Sequence, residues 1–245
     1  MIRRIGFSGF AIIAVAVLVW GINNNLGFWK KENRVISSDG FYYYAYLPAV
    51  FAYQDLELNY VEGGHAGDQF IVWPKITEEG KKVIVTSMGV AMAASPFFLI
   101  GHAWAGLSDF EQDGYSPPYK FMMLVSAWFY LLIGLILIRK FLLQFFSDKI
   151  VTLVLLAIAL GTNLLWYVVE QAVYSHVYSF ALIAAFICLT HSWFRRISFA
   201  KSLGIGLITG LITLIRPTNA LVLLLFVLWN VTSGDDFLQR SEERR

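Results

Sequence analysis

Charge is scarce in this chain. Of its 245 residues 15% are charged and 58% are hydrophobic, whereas a soluble domain has about a quarter of its residues charged. The charges are also bunched, leaving long uncharged runs between them. This shortage excludes an ordinary soluble domain and points to an integral membrane protein. Net charge is nearly absent as well. A balance of +2 supplies no electrostatic footprint for nucleic acid, so no nucleic-acid partner is expected. Cysteine is reduced to Cys188, inside an apolar run. One cysteine excludes an internal disulfide and most thiolate metal sites, and reads as a small buried hydrophobe. Internal repeats and low-complexity segments are missing too. So are the weak alternating segments of about ten residues that mark a membrane β-barrel. The apolar runs are continuous, which makes the chain an all-α polytopic membrane protein.

The runs set the organisation. Residues 5–29 are uncharged and follow Arg3 and Arg4. No small-residue cleavage site follows Trp20, so this segment is expected to be a signal anchor with a cytoplasmic N-terminus. Residues 30–82 form a long polar first loop, too short for a core of its own. It is expected to lie on the external membrane face as short amphipathic helices. Residues 83–230 carry the remaining apolar runs, and 231–245 form a polar tail of the same single membrane domain, 1–245. The runs 121–138, 150–169 and 171–194 can each span a bilayer core of roughly 30 Å at 1.5 Å per residue. The last run, about 202–229, is interrupted by Arg216-Pro217-Thr218-Asn219.

Five or six crossings follow. Six would put Arg139, Lys140, Lys149, Arg195, Arg196 and Lys201 outside, against the positive-inside rule. If 83–106 is instead a shallow or re-entrant segment bent at Pro96, every loop obeys the rule. Five crossings plus one shallow segment is the reading adopted. It places Asp39 and the turn Glu170–His176 on one side, with Arg216 about 20 Å up the last run from Lys201.

The stretch from Ser37 to Pro48 opens the polar loop and carries four tyrosines behind one acid. In a helix starting near Ser38, Asp39, Tyr42, Tyr43 and Tyr46 share one face. Two readings compete. Asp39 is the N-cap of an interfacial helix, or it is a catalytic carboxylate at the membrane surface. His65 and Asp68, in the flexible segment Glu62–Asp68, are two metal-ligand candidates without a third, and a solvated loop is the simpler reading. His176 can meet a phosphate or carry a proton. Arg216, inside an apolar run, faces a cavity or snorkels to the interface.

Several short motifs resemble the GT-C superfamily of membrane glycosyltransferases, which includes protein O-mannosyltransferases and lipid A aminoarabinose transferases. They are Ser38-Asp39-Gly40 with Tyr43 and Tyr46-Leu47-Pro48, and Ser87-Met88-Gly89-Val90 followed by Pro96-Phe97-Phe98. Gly161-Thr162-Asn163, Ser175-His176-Val177-Tyr178 and Ile215-Arg216-Pro217-Thr218-Asn219 complete the set. The resemblance implies a GT-C-like helical bundle in the bacterial inner (plasma) membrane. It implies inverting transfer of a sugar from a polyprenyl-phosphate or polyprenyl-diphosphate carrier to an external acceptor. Asp39 would be the general base, or a divalent-metal ligand as in some branches. Lys81 or Lys82 would hold the lipid phosphate, with Glu170, His176 and Arg216 around the donor and Tyr42, Tyr43 and Tyr46 lining the sugar pocket. Members have about twice this many helices, so the chain is expected to be the N-terminal half of a longer protein. Two other readings stay open: a lipid-binding or scaffold protein of the same fold, and a small-solute transporter.

Overall fold

The computed structural model describes residues 6–61 and 74–231. Arg3, Arg4, His65, Asp68 and the polar tail lie outside the described residues. The chain opens with α1 (Phe7–Leu26), followed by a 3₁₀ turn, Phe28–Lys30. Two short helices come next in the first loop, α2 (Gly40–Tyr44) and α3 (Tyr46–Phe51). A two-residue hairpin, β1 (Lys75–Ile76) and β2 (Lys82–Val83), pairs antiparallel with Lys75 opposite Val83. The remaining elements are α4 (Gly89–Gly106), α5 (Pro117–Leu142), α6 (Asp148–Gly161), α7 (Leu164–Val169), α8 (Ser175–Arg195) and α9 (Phe199–Ile215). A 3₁₀ segment, Pro217–Val222, then leads into α10 (Leu223–Val227). The first loop is thus not wholly helical, because the hairpin replaces the last of the amphipathic helices expected there.

Contacts between helices fix their directions. α1 runs antiparallel to α5. Arg139 Nε donates to Ser8 Oγ (2.7 Å) at one end. Trp128 Nε1 donates to the Ala16 carbonyl (3.1 Å) midway, and Trp20 packs on Phe121 at the other end. α5 and α8 run parallel, through Ser126–Tyr178 (3.1 Å), Cys188 on the Leu137 carbonyl (3.2 Å) and Phe141–His191. α9 returns antiparallel to α8. Trp193 Nε1 donates to Ser202 Oγ (2.9 Å) at the start of α9, and Asn219 Nδ2 donates to Ser179 Oγ (2.8 Å) just beyond its end. The molecule therefore has two ends. The starts of α1, α6 and α9 meet the finishes of α5 and α8 at a basic end. The first loop, the turn 170–174 and Arg216 gather at a tyrosine-rich end.

Among the described residues, three helical segments are long and apolar enough to cross a membrane: Phe7–Lys30, Pro117–Leu142 and Ser175–Arg195. With its continuous apolar helices, the chain is an integral membrane protein of the all-α class. The run 150–169, read as continuous, is broken at Thr162 and Asn163. Thr162 Oγ1 donates back to the Ile158 carbonyl (2.8 Å) and accepts from the Leu164 N–H (3.1 Å), so one side chain ends α6 and starts α7. The interrupted last run folds back on itself. After Pro217 the chain descends, and Phe226 packs on Trp193 while Trp229 packs on His191.

α4 lies along the first half of α5. His102 pairs with Tyr119 (2.6 Å), Phe97 packs on Phe129, and Tyr130 donates to the Ala93 carbonyl (2.9 Å). The helix passes through Pro96 without ending. The proline cannot bond the Met92 carbonyl, and Ser95 Oγ donates to that carbonyl instead (2.9 Å). At its start, Gly89 lies against the backbone of Leu214 and Ile215 with no room for a Cβ. This contact seats the start of α4 at the end of α9.

Candidate functional site

The loop before α2 is held in an unusual backbone. Asn33, Val35 and Ser38 all have positive φ (53°, 71° and 49°), a region that is costly for a β-branched valine. The tertiary fold supplies the compensation. Val35 and Ile36 are fully buried and plug the loop into the core. Asn33, Arg34, Ser37 and Ser38 are left around a groove of about 470 Å³, whose far wall is Trp166, Glu170 and Gln171.

Glu170 is the charged floor of this groove. It is 8% exposed, and a carboxylate so buried needs a charged partner. Arg34 Nη1 donates to Glu170 Oε1, and its guanidinium also lies over the Phe28 ring (4.9 Å). Beside it, Gln171 Oε1 is buried and has no hydrogen-bond partner among the described residues. Sequence reasoning missed Arg34, one cation in a polar loop. Its pairing across 136 positions leaves no local signal.

Asp39 stands at the rim, exposed. The single helix expected from Ser38 is two helices, because Pro48 has no N–H for the Tyr44 carbonyl and its ring crowds that carbonyl. Nor does Asp39 act as a side-chain cap. Its backbone is helical (φ −59°, ψ −20°) and its carboxylate accepts no capping bond. The next residue, Gly40, packs directly on the 170–174 turn. A Cβ there would stand 2.7 Å from Val173 Cγ2 and 3.1 Å from Tyr174 Cε2. That close approach sets Asp39 beside Tyr174. Burial first, and then the Asp39 carboxylate, push the Tyr174 hydroxyl above its ordinary pKa, while Ser38 and the backbone of Asp39 and Gly40 oppose the rise. Tyr174 is therefore a neutral phenol next to a carboxylate.

The aromatic path continues. Tyr174 packs on Tyr43 and on Tyr167 (centroids 6.3 and 5.8 Å), and Tyr167 stacks on His176 at 3.8 Å. Arg216 lies close enough for its charge to act on His176. Arg216 is exposed, at the point where α9 ends in extended backbone (φ −151°, ψ 121°) before Pro217. The structure thus brings Asp39, Tyr43, Glu170, His176 and Arg216 to one end of the bundle.

The other sequence candidates are placed differently. Tyr46 is half-buried and donates to the Thr86 carbonyl (2.6 Å), tying α3 to the segment before α4. Tyr42 is half-buried against the main core. Lys81 and Lys82 line a separate groove of about 460 Å³ with Leu56, Glu57 and Asn59, and Lys82 Nζ donates to Asn59 Oδ1 (3.0 Å). Among the described residues no three His, Cys, Asp or Glu side chains form a cluster able to hold a metal ion.

No family model matches the chain, and no solved structure matches it. The chain is similar to a phospho-N-acetylmuramoyl-pentapeptide-transferase of Wolinella succinogenes, with 35% identity over 91 residues. The similarity covers 37% of this chain and 23% of that protein, so the chain spans less than a quarter of its relative's length.

Proposed function

We propose that this chain works in a lipid-linked transfer reaction at the membrane surface, as a GT-C-type glycosyltransferase that uses a polyprenyl-phosphate sugar. One observation carries the reading. A carboxylate without a capping role, a neutral phenol, a histidine stacked on Tyr167 and a nearby arginine come to one end of a membrane bundle from segments 39, 174, 176 and 216. The partial similarity to a transferase supports the reaction class.

In this reading Asp39 takes the proton of the acceptor hydroxyl as its oxygen attacks the anomeric carbon. The bond from that carbon to the phosphate oxygen breaks, and the lipid phosphate leaves with the bonding pair. Arg216 and His176 stabilise the charge that develops on it. Tyr174, kept neutral, orients the base rather than competing with it. Tyr43 and Tyr167 offer ring faces to the sugar. The ion pair between exposed Arg34 and buried Glu170 holds the loop that carries Asp39 against the turn that carries Tyr174.

The positive-inside rule then makes the basic end cytoplasmic and the tyrosine-rich end external, with α4 as the shallow segment. In a Cys188→Ala background, cysteine placed at Ser37 should react with an impermeant thiol reagent in intact cells. Cysteine placed at Lys140 or Arg196 should not, and labelling there overturns the orientation.

The activity test uses the chain in lipid nanodiscs. Undecaprenyl phosphate should bind saturably, and Arg216→Leu should weaken it roughly ten- to a hundredfold, the value of a charge-assisted hydrogen bond. Transfer is then measured as release of labelled sugar from a panel of polyprenyl-phosphate sugars. Absence of lipid-phosphate binding sinks the proposal, while binding without transfer from any donor makes the chain a lipid-binding protein.

A further inference from the structure

At the opposite end of the bundle a second cavity has no part in the reaction above. It measures about 350 Å³ and opens between the finishes of α5 and α8 and the start of α9. Four cations line it: Lys140, Arg195, Arg196 and Lys201. None has a carboxylate partner among the described residues. Topology alone asks for cations at this end, but it does not ask them to converge on one hollow.

The neutral lining adds hydrogen-bonding groups. Gln144 Oε1 is met by His191 Nε2 (3.0 Å) and Arg195 Nη1 (3.4 Å), while Gln144 Nε2 donates to the Lys140 carbonyl (3.4 Å), so the amide ties the finish of α5 to α8. Lys201 caps α8 through the Ser192 and Arg196 carbonyls (2.6 and 2.7 Å). Lys140 and Gln144 also line the adjoining groove of about 890 Å³ between α1 and α5. Ile12, Ile13, Ile136 and Leu143 form the apolar part of its wall, and Arg139 and Asp148, both engaged with Ser8, lie at its polar edge. A basic hollow next to an apolar slot matches a molecule with an anionic head and an acyl chain.

We infer that this cavity binds the phosphate head group of an anionic phospholipid, with an acyl chain in the α1–α5 groove. Lys140 stands between the two compartments and contributes to both. The site does not depend on the transfer reaction.

The test uses the whole chain in phosphatidylcholine nanodiscs, with brominated phosphatidylglycerol or brominated phosphatidylcholine as quencher of tryptophan fluorescence. Trp229, against His191, reports on this end. Phosphatidylglycerol should quench at lower mole fraction than phosphatidylcholine, and the preference should shrink as salt rises. Lys140→Gln and Arg195→Gln should each reduce it roughly fivefold, whereas Lys149→Gln, at the same end but outside the cavity, should change it by less than about twofold. Equal losses in all three variants reduce the effect to diffuse surface charge and overturn the site. A salt-independent preference overturns it without any variant. Inorganic phosphate displacing the quencher as well as unbrominated phosphatidylglycerol does would assign the cavity to a soluble anion and overturn the lipid assignment.

Discussion

The two ends of the bundle handle charge in opposite ways. At the tyrosine-rich end the charges of the groove and the aromatic path are of both signs and closely constrained. Glu170 is buried against Arg34, Asp39 is set by the packing of Gly40 on Val173, and His176 is stacked on Tyr167. The loop there carries three positive-φ residues other than glycine, held by the buried Val35 and Ile36. At the basic end the charges are almost all cations, and none is buried. Asp148 accepts from the Ser8 N–H and hydroxyl, so a residue of α6 serves the start of α1, and Lys201 serves the finish of α8. Their backbone is ordinary helix terminus. Strain and buried charge at one end, relaxed caps at the other, is the distribution expected when one end is shaped for chemistry and the other for orientation and lipid contact.

The largest effect tests whether the constrained end is reactive. Asp39→Asn should lower transfer about 10²–10⁴-fold, the usual worth of a general base. Lipid-phosphate binding and thermal unfolding should stay at the parent's values. Because the carboxylate makes no capping bond, Asp39→Ala should also leave stability within about 0.5 kcal/mol, well short of the roughly 1 kcal/mol a true cap costs. Full turnover in the asparagine variant would remove chemistry from this end.

Next comes the packing that positions Asp39. Gly40→Ala adds a methyl group against the buried Val173, with no conformational penalty because φ at this position is not positive. Overpacking of this kind costs about 1–3 kcal/mol. The loop should separate from the turn, and transfer should fall with stability. Unchanged stability in denaturant would show that the contact is looser than the structure has it. Arg34→Met is smaller. Stranding a buried carboxylate costs several kcal/mol, but the Arg34 side chain is 47% exposed, so about 1–2 kcal/mol is expected after screening. The double change with Glu170→Gln should recover part of it, and a double-mutant cycle measures the coupling.

Much of this contrast is legible in the sequence. Long uncharged runs mark the helices, and the break at Arg216–Pro217 is visible as a charge and a proline inside an apolar run. Asp39, Glu170, His176 and Arg216 all stand out there as polar residues that flank or interrupt apolar segments. What stays hidden has physical causes. Helix periodicity predicts one continuous face from Asp39 to Tyr46, but Pro48 acts four residues upstream through a carbonyl and splits it. The 150–169 run looks uniform because hydropathy does not register that Thr162 can satisfy backbone groups on both sides of a break. Arg34 is invisible because an ion pair between a loop and a distant turn has no spacing rule. The return of the chain after Pro217 is hidden for a similar reason, since an apolar segment reads alike whether it continues outward or doubles back.

The smallest predicted effect concerns the two lysines that motif order suggests for the lipid phosphate. Lys81 and Lys82 lie on the hairpin side of the first loop. Their groove is shared with Leu56, Glu57 and Asn59, and Lys82 Nζ donates to Asn59 Oδ1. Their surroundings already supply a nearby acid and an amide acceptor, so an incoming phosphate gains less here than it gains at Arg216. Lys81→Gln with Lys82→Gln should therefore change undecaprenyl-phosphate affinity by less than about threefold and stability by no more than about 0.5 kcal/mol, as for other surface substitutions. Arg216→Leu, measured beside it, should show the tenfold or greater loss that a direct phosphate contact implies. If the lysine pair loses as much as the arginine, the head group reaches across the first loop. The constrained end would then extend to the hairpin, and the binding site would have to be redrawn around residues 57–82 and 216 together.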